Sequence, residues 1–284
     1  MVKIKFIRND LKEFVIDGTD WAIPSTGIES LGIFENDIST VNNAIGDGGI
    51  KQSSRVPITD RTIEAKSRNP KNNEVLRDAA KRFFSPKRTY EVYVTYMGVT
   101  RWFEGEIKKF YIPPGNIHRS MSMAVTFLCV DPYWRSVENF GKNIAATIPM
   151  AAFPFLCTSE QGVTAGRYNF AKNVAFENDG DVETNCRVEM TAKGEVTNPK
   201  VMINGGYVRV IDIMVEGDVI VIDFTKNPPT VKKNGVNYIG HCDRTSTFDE
   251  MAIPIGSTAV SFDADNGSNM LDVTFYYNKL YSVI

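Results

Sequence analysis

Apolar and polar positions alternate along most of this chain with a period of two residues, which is the period of a half-buried β-strand. Residues 2–8 alternate apolar and basic side chains, and residues 11–16 resume the apolar run after a turn at Asn9-Asp10. Residues 90–96 and 101–112 repeat this arrangement on either side of Met97-Gly98. Each pair of segments predicts a β-hairpin.

One segment, at about residues 73–84, follows the 3.6-residue period of an α-helix instead. Asn72 or Asn73 can cap its start, and Pro86 ends it. Apolar side chains recur there in two rows four residues apart: Val75, Ala79 and Phe83 beside Leu76, Ala80 and Phe84. The sequence therefore predicts one substantial amphipathic helix.

Residues 36–54 are rich in Asn, Asp, Gly and Ser, which predicts a long exposed loop or arm. The run Gly46-Asp-Gly-Gly49 could also be read as a phosphate cradle. No Lys-Ser/Thr pair and no helix signal follows it, which disfavours a P-loop.

Residues 121–130 are apolar or small, which predicts a strand buried mostly on both faces. Asp131-Pro132 then stops it because proline lacks an amide hydrogen. Tyr133 and Trp134 follow immediately. This pattern predicts the last strand of a domain, with its exit packed against the core; an ordinary strand end with a capping turn is the alternative.

Beyond residue 136 the sequence changes character, which places a domain boundary near residues 136–142 and predicts domains at 1–138 and 139–284. The second half consists of short apolar segments separated by Gly, Asn or Pro, with the sharpest turn signals at Gly217-Asp218 and Asn234-Gly235. This spacing predicts an antiparallel β-sandwich.

The formal net charge is -2, but charge is unevenly distributed. Residues 1–50 hold 4 basic and 8 acidic side chains, whereas residues 51–119 hold 15 basic and 7 acidic ones, a net charge of +8. A basic segment therefore follows an acidic one. Six of its side chains are candidate assembly contacts: Lys51, Arg55, Lys66, Arg68, Lys81 and Arg82.

Candidate chemistry is sparse, and the sequence predicts no catalytic, cofactor or metal site. The four cysteines lack Cys-x-x-Cys spacing, and the two histidines, His118 and His241, are far apart. Glu104 and Glu106 share a strand face near Trp102, yet a solvated face pairing with Lys or Arg across the hairpin is the simpler interpretation. Asp263 and Asp265 resemble part of a calcium loop, but a β-turn fits their spacing better.

Residues 1–30 contain no uninterrupted apolar core, and no later stretch approaches the length of a membrane span. We therefore expect no membrane insertion. The protein is expected to stay in a cytoplasm or in a particle assembled there.

Several motifs recur in one order: Arg55-Val-Pro57 with Arg61-Thr-Ile63, the helix ending in Phe83-Phe84, Arg101-Trp-Phe-Glu-Gly105, and Phe127-Leu-Cys-Val-Asp-Pro-Tyr-Trp134. Together they resemble the N-terminal domain of the distal tail proteins of long-tailed bacteriophages, over residues 50–136. The structural motif residues that this resemblance assigns are Phe127, Cys129, Asp131, Pro132, Tyr133 and Trp134.

The resemblance implies a mainly β protein in which a β-barrel-like N-terminal domain with one helix precedes a galectin-like β-sandwich. It implies a non-enzymatic virion component at the tail tip, assembled in the host cytoplasm. Its subunits would form a homohexameric ring that joins the tail tube protein to tail-tip, baseplate and receptor-binding proteins.

Three expectations follow for the ring. The N-terminal domain should form it by head-to-tail contact of basic and acidic patches. DNA should pass without being tightly bound, because tight binding would slow its transit. The six candidate side chains should therefore meet acidic protein neighbours, either the 1–50 segment of the adjoining subunit or the next ring. The alternatives are a DNA-facing lumen and a solvated surface.

Two other functions stay open at this point. One is a carbohydrate-binding host-recognition module, although Trp21, Trp102 and Trp134 all precede the domain boundary, which weakens a sugar platform in the sandwich. The other is a tail-associated hydrolase.

Overall fold

The computed structural model describes residues 2–113, 120–138, 142–149, 166–170 and 173–284, with the backbone alone for 142–149, 166–170 and 173. The chain divides into two compact units. Unit 1 comprises Met1–Val137 and Leu280–Ile284, and unit 2 comprises Glu138–Lys279. The sequence prediction had assigned residues 280–284 to the second domain.

The described elements are almost all strands. In chain order the first group is β1 (Lys3–Arg8), β2 (Glu13–Ile16), β3 (Trp21–Ala22), β4 (Asp37–Asn42), β5 (Gly49–Arg55), β6 (Thr59–Ser67), α1 (Asn73–Phe83), β7 (Thr89–Tyr96), β8 (Val99–Tyr111), β9 (Ser122–Cys129) and β10 (Trp134–Ser136). The second group is β11 (Lys142–Pro149), β12 (Gly166–Phe170), β13 (Asn173–Asn178), β14 (Cys186–Ala192), β15 (Val196–Thr197), β16 (Lys200–Ile203), β17 (Gly206–Arg209), β18 (Ile213–Met214), β19 (Val219–Asp223), β20 (Thr230–Lys233), β21 (Val236–Asn237), β22 (Gly256–Asp263), β23 (Leu271–Tyr277) and β24 (Leu280–Tyr281). Short 3₁₀ turns occur at Glu29–Gly32, Pro70–Asn72, Ile239–His241, Phe248–Glu250 and Ser268–Met270.

Unit 1 is built on one nearly closed, barrel-like antiparallel sheet. Its strands follow the order β2-β1-β7-β8-β9-β6-β3, and β10 pairs with both β8 and β24. The two predicted hairpins are β1-β2 and β7-β8. The inward residues form a core dominated by aromatic rings, including Phe6, Tyr90, Phe103, Phe127 and Trp134.

Helix α1 covers part of this sheet, and its position confirms the predicted helix, though not both predicted rows. Ala80 and Phe83 are buried, whereas Val75 is 72% exposed and Ala79 is exposed as well. The row through Val75 and Ala79 was therefore wrong. The sheet covers only a narrow stripe of the helix, and buried Asn73 extends that stripe in place of Val75.

The buried Arg8 fixes the end of α1 to the sheet. Its Nη1 donates to the carbonyl oxygens of Arg82 at 3.0 Å and Phe83 at 2.8 Å, which have no partner within the helix. Asp10 accepts from Arg8 Nε at 2.8 Å and Nη2 at 2.7 Å. A cation at the helix C-terminus also stabilises the helix dipole.

Strands β4 and β5 form a separate hairpin in which every residue is exposed. The sequence predicted a loop or arm here; the arm is a two-stranded sheet with a bulge between Ser39 and Thr40. Gly46 and Gly48, at its tip, have φ values of 95° and 91°, which favour glycine. The glycine run is thus turn chemistry.

Unit 2 is an antiparallel sandwich. One sheet follows the order β12-β11-β23-β14-β19-β20-β21 and the other β13-β22-β16-β17, with a core between them that includes Val188, Ile222, Phe262 and Phe275. The predicted mainly β fold, with a barrel-like first part, a helix and a following sandwich, is confirmed.

No described helix is long and apolar enough to cross a lipid bilayer.

Candidate functional site

The motif segments found in the sequence converge on one buried arginine, Arg61, in unit 1. Arg61 is 2% exposed and points inward from β6, which pairs with the motif strand β9 through Arg61↔Phe127. Its guanidinium carbon lies 4.4 Å from the ring centroid of Trp134 and 4.6 Å from that of Phe103. Its Nη2 donates to the Pro132 carbonyl oxygen at 2.5 Å.

This arrangement, which we term the Arg61 corner, explains the Asp-Pro-Tyr-Trp sequence physically. Pro132 turns the chain so that its carbonyl meets Arg61, and Trp134 then enters the core as a cation-π partner. Asp131 Oδ1 accepts from the Tyr133 backbone N-H at 3.1 Å. The two aromatic residues after Asp-Pro therefore have different roles. Trp134 is buried in the core, whereas Tyr133 is half-buried and belongs to the turn.

Gly105 belongs to the same corner for a steric reason. A Cβ at this position would lie 3.1 Å from the Leu128 carbonyl oxygen and 3.1 Å from the Phe127 Cβ. Glycine therefore allows β9 to approach β8 closely. This gives the Arg101-Trp-Phe-Glu-Gly105 motif a packing role.

A second group of side chains lies beyond the corner and holds β10 in place. Arg135 donates to Asp131 Oδ2 from Nη2 at 2.8 Å, and its guanidinium lies 5.0 Å from the Trp102 ring centroid. Trp102 Nε1 donates to the Ser136 carbonyl oxygen at 2.9 Å and stacks on Tyr93. The prediction that β9 is the last strand of its domain was wrong, because β10 and β24 extend the same sheet.

The described cysteines lack the lowered thiol pKa of a nucleophilic cysteine. Burial raises the pKa of the Cys129 thiol to about 11, although Arg61 beside it favours the thiolate. Burial also raises the pKa of Cys186 to about 12 and that of Cys242 to about 11. These thiols are protonated at neutral pH, and His118 and Cys157 lie outside the described residues.

The other candidate chemistry resolves into structural contacts. His241 stacks on Tyr238 with ring centroids 3.8 Å apart. Asp265 accepts hydrogen bonds from Asn198 and Arg209. Among the described residues, no group of three His, Cys, Asp or Glu side chains is placed to hold a metal ion.

Glu104 and Glu106 lie on an exposed strand face, but the basic partners expected across the hairpin are not there. Glu104 faces Glu91, and Glu106 faces Thr89. Opposed residues of an antiparallel pair have Cβ atoms only about 5 Å apart, so Glu91 and Glu104 repel each other. This surface, which we term the acidic strand face, comprises Glu91, Glu104 and Glu106.

The six candidate assembly residues are all exposed and lie on three elements of unit 1. Lys51 and Arg55 belong to the β4-β5 hairpin, Lys66 and Arg68 to the end of β6 and the residue after it, and Lys81 and Arg82 to the last turn of α1. Arg55 pairs with Asp37 at 3.1 Å. The other five have no acidic partner among the described residues, so the assembly role stays a prediction.

The sequence analysis included Arg61 in a motif but did not predict that the other motifs pack around it. The available signal was the alternation Arg61, Ile63, Ala65 and Ser67, which puts Arg61 on the buried face of β6. Arg101, which contacts Tyr281, could not be found this way, because its partner lies 180 positions along the chain.

Residues 179–281 match the family model described as the siphovirus-type tail component, C-terminal domain. Over this range the chain is similar to the C-terminal domain of siphovirus-type tail components. The match covers most of unit 2 and confirms the resemblance to phage distal tail proteins, which was based on the other half of the chain. No curated protein matches the sequence.

Solved structures of phage tail proteins share the fold of this chain. It matches the Dit protein of phage SPP1 with a TM-score of 0.64 and 10% identity, over 98% of both chains; that protein is described as a paradigm of the hub adsorption apparatus in phages that infect Gram-positive bacteria. It also matches a chain of the phage P2 baseplate in its activated conformation with Ca, with a TM-score of 0.57 and 12% identity over 100% of both chains. At these identities the likeness establishes the fold.

Proposed function

We propose that this protein is a non-enzymatic distal tail protein. Its subunits form a homohexameric ring at the virion tail tip that joins the tail tube protein to the tail-tip, baseplate and receptor-binding proteins. The observation that carries the proposal is the family match of residues 179–281 within a chain that shares the complete fold of a hub protein. The ring would assemble in the host cytoplasm.

The β4-β5 hairpin supports assignment of the ring contact to unit 1. An isolated two-stranded hairpin is marginally stable in water, and all residues of both strands are exposed. Four large apolar side chains lie on it, with Ile45 95% exposed: Ile38, Val41, Ile45 and Ile50. A neighbouring subunit that covers them would stabilise the hairpin.

Unpaired charge on unit 1 supports a head-to-tail contact. In residues 1–50, Asp10, Glu13 and Asp37 already form ion pairs within unit 1. The acidic strand face has no such partner among the described residues, so it is a second complement, beside the 1–50 segment, for the basic side chains of an adjoining subunit. Complementary patches on one unit favour heterologous contacts that close into a ring.

Native mass spectrometry and negative-stain imaging of the full chain test the proposal. A species of six subunits is expected, and the double variant Ile38→Ser/Ile50→Ser should shift it to monomers. Val236→Ser, a matched change of an exposed apolar residue in unit 2, should leave the ring intact. A wild-type chain that stays monomeric at all concentrations contradicts the ring, and loss of the ring in Val236→Ser alone assigns it to unit 2.

A carbohydrate-binding module is less well supported. Trp21 and Trp134 are buried in unit 1, and Trp102 stacks on Tyr93 there. In unit 2, Lys200 lies 4.1 Å above the Tyr207 ring, at the polar cavity that Tyr207 helps to line, and so covers one face of it. No described tryptophan is left as a sugar platform.

A further inference from the structure

Unit 1 is completed by residues that follow unit 2 in the chain. Strand β24 pairs with β10 through Trp134↔Tyr281 and Arg135↔Leu280, and β10 pairs with β8 through Arg135↔Trp102. The chain therefore leaves unit 1 after Val137 and re-enters it at Leu280, on adjacent strands.

Specific contacts hold residues 280–284 in unit 1. The Arg101 guanidinium carbon lies 3.7 Å from the Tyr281 ring centroid, and Arg101 Nη1 donates to the Val283 carbonyl oxygen. Tyr281 and Ile284 pack against the core. Without these residues β10 would have one unpaired edge, and Arg101 would lose both contacts.

Unit 2 holds its own two ends together. Asn278 Nδ2 donates to the Glu138 carbonyl oxygen at 3.3 Å. The Asn278 carbonyl oxygen accepts from the buried Thr184 hydroxyl at 2.7 Å. Strands β11 and β23, which follow and precede these ends, are paired through Lys142↔Phe275. The folded sandwich thus brings residues 138 and 279 together.

We propose that folded unit 2 acts as a clamp that delivers β24 to unit 1, so that the β8-β10 corner of unit 1 closes only when the sandwich is folded. An unfolded segment of this length would have to bring its two ends together at an entropic cost that grows with the number of residues. When unit 2 is folded, its own folding has already brought the two ends together. Strand β24 is then held at high effective concentration beside β10.

Hydrogen exchange on the full chain tests the clamp. Ile222→Ala removes a fully buried side chain from β19, and Lys232→Ala is the exposed control on neighbouring β20. In Ile222→Ala the amides of β19 and of β10 should lose protection by the same factor, at least about tenfold. Those of β1 should keep wild-type protection, and Lys232→Ala should change neither.

Protection of β10 at the wild-type level while β19 exchanges faster overturns the proposal, as does equal loss in β1, which would indicate global unfolding. If Ile222→Ala does not fold, Ile222→Val applies the same test with a smaller loss. Arg101→Leu provides the converse: because the coupling of the two folding steps is reciprocal, exchange at β10, at residues 280–284 and at β19 should all become faster. Unchanged exchange at β10 in Arg101→Leu overturns the clamp too.

Discussion

The buried side chain of Arg61 explains why several motifs that are distant in the sequence occur together. The Asp-Pro-Tyr-Trp turn, Phe103 and Gly105 are separated in the sequence, yet each either contacts Arg61 or makes room for the strand that does. Burying a guanidinium is costly unless its charge and donors are satisfied. Two aromatic faces and one carbonyl supply most of that compensation here, while Nη1 has no hydrogen-bond partner.

Arg61→Ala should therefore destabilise unit 1 by about 2–4 kcal/mol, since it removes a charged hydrogen bond and two ring contacts and leaves a cavity. Arg61→Lys should lose less, because lysine keeps the charge and most of the volume but not the planar stacking. All three tryptophans lie in unit 1, so denaturant unfolding followed by tryptophan fluorescence reports on this unit.

The matched control is Arg88→Ala, an exposed arginine just before β7, which should shift stability by no more than about 0.5 kcal/mol. If Arg61→Ala and Arg88→Ala are equally stable, Arg61 does not hold the corner together.

Two turns of the sandwich, both recognised from the sequence, interlock in the structure. Asn234 and Gly235 have φ values of 49° and 82°, as the hairpin turn between β20 and β21 requires. Asp218, in the other turn, accepts from Asn234 Nδ2 at 2.8 Å and pairs with Lys233 at 3.0 Å. Turn chemistry is local and readable from dipeptides, whereas the contact between the turns depends on the pairing of β19 with β20.

These contacts make Asp218 an acid-sensitive position. The Asn234 amide, the Val215 backbone N-H and Lys233 lower the pKa of Asp218 from 3.8 to about 2. A lowered carboxyl pKa contributes stability above 3.8 that is lost as pH falls towards 2. Asp218→Asn should melt at a lower temperature at neutral pH and lose less on acidification.

Scanning calorimetry between pH 7 and pH 2 measures this difference. Glu216→Gln, an exposed carboxyl in the same turn, is the control and should follow the wild-type profile. Parallel pH profiles for Asp218→Asn and the wild type would contradict the assignment.

Elements with a strong local pattern were predictable, and elements defined by tertiary pairing were not. Helix α1 and the hairpins β1-β2 and β7-β8 follow from periodicity and turn residues. Strands β4 and β5 are too polar to alternate, and β10 and β24 are only three and two residues long. Their strand character comes from pairing, and one of the two partners of β10, β24, lies beyond an entire unit of the chain.

At the level of the complete chain, the sequence predicted how charged residues are distributed but not which of them form ion pairs. The excess of basic residues in 51–119 follows from counting. Which acidic groups remain available could only be learned from contacts: several carboxylates of residues 1–50 are already paired, whereas the acidic strand face opposes two glutamates across one hairpin. That arrangement favours a protein neighbour for the basic side chains, and it makes the choice between protein and DNA testable.

The charge reversals Arg55→Glu and Arg68→Glu should abolish or weaken ring assembly, because each puts a negative charge where an acidic surface of the next subunit is expected. Lys232→Glu, an exposed reversal in unit 2, is the control and should assemble normally.

Native mass spectrometry measures assembly, and fluorescence anisotropy with a DNA duplex at several salt concentrations measures binding. The wild type should bind duplex weakly, since a conduit that neutralised many phosphates would retain its cargo. Normal assembly of both variants, together with wild-type binding of about micromolar affinity that the variants lose, would assign these arginines to a DNA-facing surface instead.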